Sequence, residues 1–186
     1  AADLPRIMEE AFAIAVSGRP GPVVVDVPRD VQTEECDFTG WPAPRFGSGP
    51  AESPGTPGPA DLAFAASLLA RCERPVLYCG GGARGAGAEI AVLAELLDAP
   101  VVTTLMGLGL LPPDHPRLAG MIGMHGTRAS NRAAGRADLV LAAGCRFSDR
   151  VLCDASKFAS GAKVVHLDID PAEIGKNLWC ELGLVG

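Results

Sequence analysis

Gly80, Gly82 and Gly85 form a Gly-x-Gly-x-x-Gly run between a predicted strand and a predicted helix. That is the context in which such a run cradles a dinucleotide. Glycine allows a tight turn and close backbone approach, and the helix start that follows favours a phosphate. Three further strand ends are polar or flexible: Thr104-Leu105-Met106-Gly107, Gly144-Cys145-Arg146-Phe147 and Asp168-Ile169-Asp170. At the glycines the backbone N–H groups can donate to ligand oxygens. Arg146 and Arg150 offer fixed cations suited to a pyrophosphate, and Asp168 can accept from a ribose or an adenine. Each also has a plain structural reading. Gly144 can simply end a strand, Asp170-Pro171 can cap a helix, and Arg146 can sit in a surface ion pair. Their recurrence on successive strand ends favours a ligand. An NAD site carries an Asp or Glu at the end of its second strand, whereas here that strand ends Thr103-Thr104, which argues against an NAD-dependent dehydrogenase. His125 lies in a Gly-Met-His-Gly-Thr run with no Ser or Cys nucleophile and orienting acid beside it in the sequence, so a hydrolase triad is not expected.

The elements that must position these residues follow from the apolar pattern. Leu4, Met8 and Phe12, with Ile7, Ala11 and Ala15, recur at helical spacing, so a helix is predicted over Leu4–Val16. Ser17-Gly-Arg-Pro-Gly-Pro breaks it, and the β-branched run from Pro22 to Val27 predicts a short buried strand ended by Pro28. From Trp41 to Pro59 the Pro/Gly-rich sequence sustains neither helix nor interior strand and reads as an extended linker. Beyond it, predicted helices over 60–72, 86–97 and 127–134 alternate with strands over 75–79, 100–104, 138–143 and 163–167. Such alternation implies a Rossmann-like α/β fold: a parallel sheet covered by helices on both faces, with ligands at the carboxyl ends of its strands.

Composition sets the outer limits. The chain has 186 residues, 48% of them hydrophobic, which is enough for a sizeable core in one domain plus a fragment of another. A net charge of −6 without a Lys/Arg block points away from nucleic acid. No apolar run approaches the roughly 20 residues of a membrane span, and no signal peptide is visible. Six cysteines without a C-x-x-C pair read as free thiols in a reducing, cytoplasmic setting. The three histidines, His115, His125 and His166, are not spaced for a metal site.

Five motifs together resemble one family. They are Gly18-Arg-Pro-Gly-Pro-Val-Val-Val-Asp-Val-Pro-Arg-Asp-Val-Gln, Thr104-Leu-Met-Gly-Leu-Gly, Gly123-Met-His-Gly-Thr, Gly144-x-Arg-Phe-x-Asp-Arg-Val and His166-Leu-Asp-Ile-Asp-Pro-Ala-Glu-Ile-Gly-Lys-Asn. The first is widespread among thiamine-diphosphate enzymes; the last three in combination resemble the catalytic large subunit of acetolactate synthase. The resemblance implies three domains in the whole protein, binding in turn the pyrimidine of thiamine diphosphate, FAD, and the diphosphate through Mg²⁺. On that basis residues 1–40 are the end of the pyrimidine-binding domain, 41–59 the linker, and 60–186 an FAD-binding-type central domain incomplete at its C-terminus.

By position, the resemblance places the FAD contacts on Arg19, Gly81, Thr104, Leu105, Gly123, Met124 and His125, and on Gly144, Arg146, Phe147, Asp149, Arg150, Asp168 and Ile169. Arg29 falls at the mouth of the substrate channel, where the family usually has Lys. Ser148 departs from the Asp usual before Asp149. The family's catalytic Glu and its Gly-Asp-Gly metal motif have no counterpart, so no catalytic residue is expected here. The implied reaction of the whole protein is pyruvate decarboxylation followed by carboligation to a second 2-oxo acid, in branched-chain amino-acid biosynthesis, with FAD largely architectural. The implied partners are further copies of the chain, as a dimer or tetramer, and a small regulatory subunit. Two other readings remain: a sibling thiamine-diphosphate enzyme acting on oxalyl-CoA or sulfo substrates, and a stand-alone nucleotide-binding module.

Overall fold

The structure, a computed structural model, describes residues 1–37, 40, 55–152, 154 and 158–186. Most of the predicted linker lies outside the described residues. The chain divides into two compact units, Ala1–Pro54 and Gly55–Gly186.

In the first unit the helical spacing produces α1, Leu4–Val16, with Pro5 in its first turn, where a missing N–H costs nothing. Arg6 pairs with Glu10 one turn on at 3.1 Å, and the Ser17 hydroxyl donates to the Ile14 carbonyl at the helix end. Gly18, at φ +50°, then turns the chain. The run from Pro22 to Val27 is not the buried strand its composition predicts. It has no ladder partner among the described residues of this unit, and Val24 is 89% exposed. A strand is stable only when its N–H and C=O groups are paired, and β-branched composition supplies no partner. Val23 and Val25 instead share a shallow groove with Ile7, Ala11 and Ile14 of α1. A short helix α2, Arg29–Thr33, follows Pro28.

The second unit alternates as the pattern predicts. Helix α3 spans Pro59–Leu69, strand β1 Pro75–Cys79, helix α4 Gly87–Leu96, strand β2 Val101–Thr103, strand β3 Leu118–Met121 and helix α5 Arg128–Arg136. Strand β4 (Leu139–Ala143), the single-turn helix α6 (Asp149–Leu152), strand β5 (Lys163–Asp168) and strand β6 (Leu182–Val185) complete it. Strands β3 and β6 and helix α6 fall where the sequence pattern predicts no element. The glycine loop is a 3-10 turn over Gly81–Ala86, and a second such turn spans Leu105–Gly107.

The six strands are all parallel, in the order β3-β2-β1-β4-β5-β6. This is the order of a doubly wound dinucleotide-binding sheet. Strand β1 is apolar throughout and fully buried, as a central parallel strand must be. Alternate residues feed opposite layers. Val76, Tyr78, Val102, Val140 and Ala142 pack with Ala134 of α5 and Leu152 of α6. Leu77, Cys79 and Val101 pack with Ile90 and Ala94 of α4. Leu139, Val165 and Leu184 meet Ala65 and Leu68 of α3. At the amino end of β4, Asp138 accepts from the Glu73 and Arg74 amides at 2.8 and 2.9 Å, tying the start of β1 to that of β4.

Candidate functional site

The chain leaves β1 for β2 and β3 on one side and returns to β4 on the other, so the crevice between β1 and β4 is the sheet's switch point. Loops diverge there, and ligands bind outside the carboxyl ends. A cavity of about 370 Å³ opens at this place. Its glycines are required by packing. A Cβ on Gly82 would lie 2.8 Å from the Gly144 Cα, and one on Gly80 would overlap the Gly144 carbonyl. The two strand ends are thus pressed backbone to backbone, with the Gly80 amide donating to Ala143 at 2.8 Å and the Gly82 amide to Gly144 at 3.1 Å.

Of the residues singled out in the sequence, Gly81, Thr104, Leu105, His125, Gly144, Arg146 and Arg150 line this cavity. Thr104 caps the turn after β2, accepting from the Gly107 amide at 3.0 Å. The loop around Gly123 is held by Asn131, which accepts from its amide at 2.9 Å and donates to its carbonyl at 3.0 Å. At φ +105° a Cβ on Gly123 would lie 2.5 Å from the Arg150 carbonyl, so only glycine fits between this loop and α6. The Met124 amide donates to that same carbonyl at 2.9 Å. Arg150 pairs with Asp149 at 3.1 Å.

The other candidates are placed differently. Gly123, Met124, Asp149, Asp168 and Ile169 are not among the lining residues. Asp168 is buried, and its carboxylate accepts from the Asp170 amide at 3.0 Å; Asp170 in turn accepts from the Ala172 amide in a turn, and the helix it was expected to cap is not formed. Phe147 is turned inward and 1% exposed, its ring tilted against Tyr78 at 5.2 Å and edge-on to Phe158 at 5.9 Å. Its backbone, not its ring, belongs to the turn. Arg19 and Arg29 lie in the first unit.

The cavity also takes Tyr78, Met106, Met121, Ile122, Cys145, Ser148 and Val151, none of which the sequence singles out as a contact. Met121 and Ile122 follow from β3, a strand the apolar pattern does not reveal. Met106 and Cys145 stand inside motifs already singled out, which is the one signal that could have found them. Tyr78 carries a buried hydroxyl beside the Cys145 thiol, with no other hydrogen-bonding partner among the described residues. Burial, and then Cys145, push its acidity far down, so it stays a phenol and a donor. Burial likewise pushes the Cys145 thiol well above its ordinary range, helped by Cys79 and Asp168. A neutral thiol is a poor nucleophile, so the cavity holds no activated cysteine. Among the described residues no group of three His, Cys, Asp or Glu could hold a metal. The arrangement offers cations, backbone donors, a phenol and apolar walls, which is equipment for binding a large ligand.

Fold and cavity together define a doubly wound α/β domain with its ligand crevice at the switch point, the class that holds dinucleotides. Residues 62–186 match the family described as "Thiamine pyrophosphate enzyme, central domain", and the chain belongs to that family. Similar proteins include a probable acetolactate synthase large subunit of Methanocaldococcus jannaschii, 49% identical over 99% of this chain and 32% of its own length. An acetolactate synthase of Mycobacterium bovis is 50% identical over 99% of this chain and 30% of its own length. The chloroplastic acetolactate synthase 2 of Zea mays is 49% identical over 94% of this chain and 27% of its own length. The chain thus spans about a third of the length of the curated relatives it matches. No helix among the described residues is long and apolar enough to cross a membrane.

Proposed function

We propose that this chain is the central, FAD-binding part of an acetolactate synthase large subunit, with the closing segment of the preceding domain at residues 1–40 and a linker over 41–59. The observation that carries the reading is the switch-point cavity, in a chain about 50% identical to proteins named as acetolactate synthases. Its residues fit FAD. Arg146 and Arg150 supply positive charge for a pyrophosphate, Gly81 and Gly144 bring backbone close, and Leu105, Met106, Met121 and Ile122 give apolar surface for a ring system. The buried Tyr78 phenol, beside the Cys145 thiol, adds a donor to this lining. In this reading FAD is architectural, filling and ordering the crevice, and the chain's own residues bind and orient it.

The whole protein would join the two-carbon unit left by pyruvate decarboxylation to a second 2-oxo acid, with thiamine diphosphate supplying the electron sink when bound. Thiamine diphosphate and Mg²⁺ are assigned to parts of the protein other than the residues described here. A homodimer or homotetramer, a small regulatory subunit and a cytoplasmic setting complete the reading. The test is the full-length protein, assayed for acetolactate formation from pyruvate and titrated calorimetrically with FAD and with NAD. Acetolactate formation together with tighter FAD than NAD binding is expected. Tighter NAD binding, or no acetolactate formation, would overturn the assignment.

A further inference from the structure

The turn Gly144–Phe147 carries Arg146, one of the two arginines that line the cavity, and it is not self-supporting. Gly144 sits at φ +56° and Phe147 at φ +48°. A left-handed backbone costs a bulky residue energy and persists only where the surroundings enforce it. Strand β5 and the loop after it supply the enforcement. His166, 1% exposed, lies with Nε2 2.8 Å from the Cys145 carbonyl oxygen. Its ring stands edge-on to Phe147, centroids 5.1 Å apart at 90°. The Asn177 side-chain amide donates to the Arg146 carbonyl at 3.1 Å. A carbonyl only accepts, so Nε2 carries the proton; Nδ1 is then the acceptor facing the Gly175 amide at 3.4 Å. This is one neutral tautomer used at both nitrogens. Neither His166 nor Asn177 lines the cavity.

We propose that His166 and Asn177 are positioning residues: they clamp the carbonyls of Cys145 and Arg146 from below, and so fix the left-handed turn that presents Arg146 to the bound dinucleotide. The inference rests on the FAD reading for its ligand, and on the clamp geometry for its mechanism. Asn177 is exposed, so its removal leaves the core intact.

The test uses the full-length protein. Asn177→Ala should raise the FAD dissociation constant about fivefold, the worth of one hydrogen bond, with the melting temperature of the FAD-free protein unchanged. His166→Gln, which keeps an N–H donor, should bind FAD more tightly than His166→Leu. In an Arg146→Ala background, Asn177→Ala should cost no further affinity, because the clamp acts through Arg146. A merely structural residue would lose affinity additively. In the FAD-free protein, the amides of Cys145, Arg146 and Phe147 should exchange hydrogen faster in Asn177→Ala than in the parent. Unchanged affinity in Asn177→Ala, additive losses in the double variant, or unchanged amide exchange would each overturn the clamp. If the parent itself holds no FAD, the assignment of ligand fails, while amide exchange still decides the clamp.

Discussion

Arg146 lines the cavity with an exposed side chain, and among the described residues it has no ion-pair partner. The surface-ion-pair reading of this residue thus finds no partner among the described residues, and the proposed ligand contact can be tested directly. A charge-assisted hydrogen bond to a phosphate or flavin oxygen contributes roughly 1.5–3 kcal/mol, so Arg146→Ala should weaken FAD binding about tenfold or more. Unfolding free energy should stay within about 1 kcal/mol, as for an ordinary surface substitution. Titration and urea unfolding of the full-length variant check both, and unchanged affinity would place the flavin elsewhere. The buried thiols make a second prediction at this scale. Burial pushes Cys79 from its ordinary 9.0 up to about 12. The folded state therefore keeps a proton that the unfolded chain releases. That contribution is fully present below pH 9 and is lost as pH rises towards 12. Each such thiol lowers stability by about 1.4 kcal/mol per pH unit within the window. Urea midpoints measured across it should fall, and Cys79→Ala should reduce the slope; a flat profile refutes the burial argument.

At the scale of elements, two glycines of the fingerprint, Gly80 and Gly82, are fixed by packing against the end of β4. Gly82 is glycine because β1 and β4 end against each other, its added Cβ meeting the Gly144 Cα at 2.8 Å. Gly85 has nothing within 4 Å of an added Cβ. Gly82→Ala should therefore destabilise the domain by about 2–4 kcal/mol, while Gly85→Ala stays within about 0.5 kcal/mol. Denaturant unfolding of the two variants checks this. Equal stability with weakened FAD binding in Gly82→Ala would show that the glycine serves the ligand alone. Strands β3 and β6 teach a related lesson. Leu118-Ala-Gly-Met and Leu182-Gly-Leu-Val have no alternation and little β-branching, and Gly120 sits at φ +98°. They are strands because β2 and β5 offer unpaired edges, and pairing overrides propensity.

At the scale of the whole molecule, each unit carries a separate expectation. The sequence contains no Gly-Asp-Gly, and the described residues offer no metal cluster. The 186-residue chain by itself should form no acetolactate from pyruvate when given thiamine diphosphate, Mg²⁺ and FAD. Any turnover surviving purification controls would contradict the assignment of chemistry to other domains. The first unit holds a well-formed α1 with no buried residue and an extended run with no ladder among the described residues. Its composition predicts a strand, and only a partner strand could make it one.

Hydrophobic periodicity and turn chemistry alone determined the α/β alternation, the full extent of α1, the place of β1, β2, β4 and β5, and the polar character of their carboxyl ends. These are local properties, since helix and strand periods are written in neighbouring side chains. The polar strand ends pointed to Thr104, Gly144, Arg146 and Arg150, and the resemblance of motifs pointed to the family and to His125, along with Gly123, Met124 and Asp149, which do not line the cavity. Only the tertiary structure decided that β4 returns beside β1, so that Gly80 and Gly144 meet at one crevice. It also decided that Phe147 turns into the core while Arg146 lines the cavity, and that His166, two strands from β1, supports that turn. The reason is physical: ladder partners and close backbone approaches join residues far apart in sequence, and no local pattern encodes which strands will share an edge.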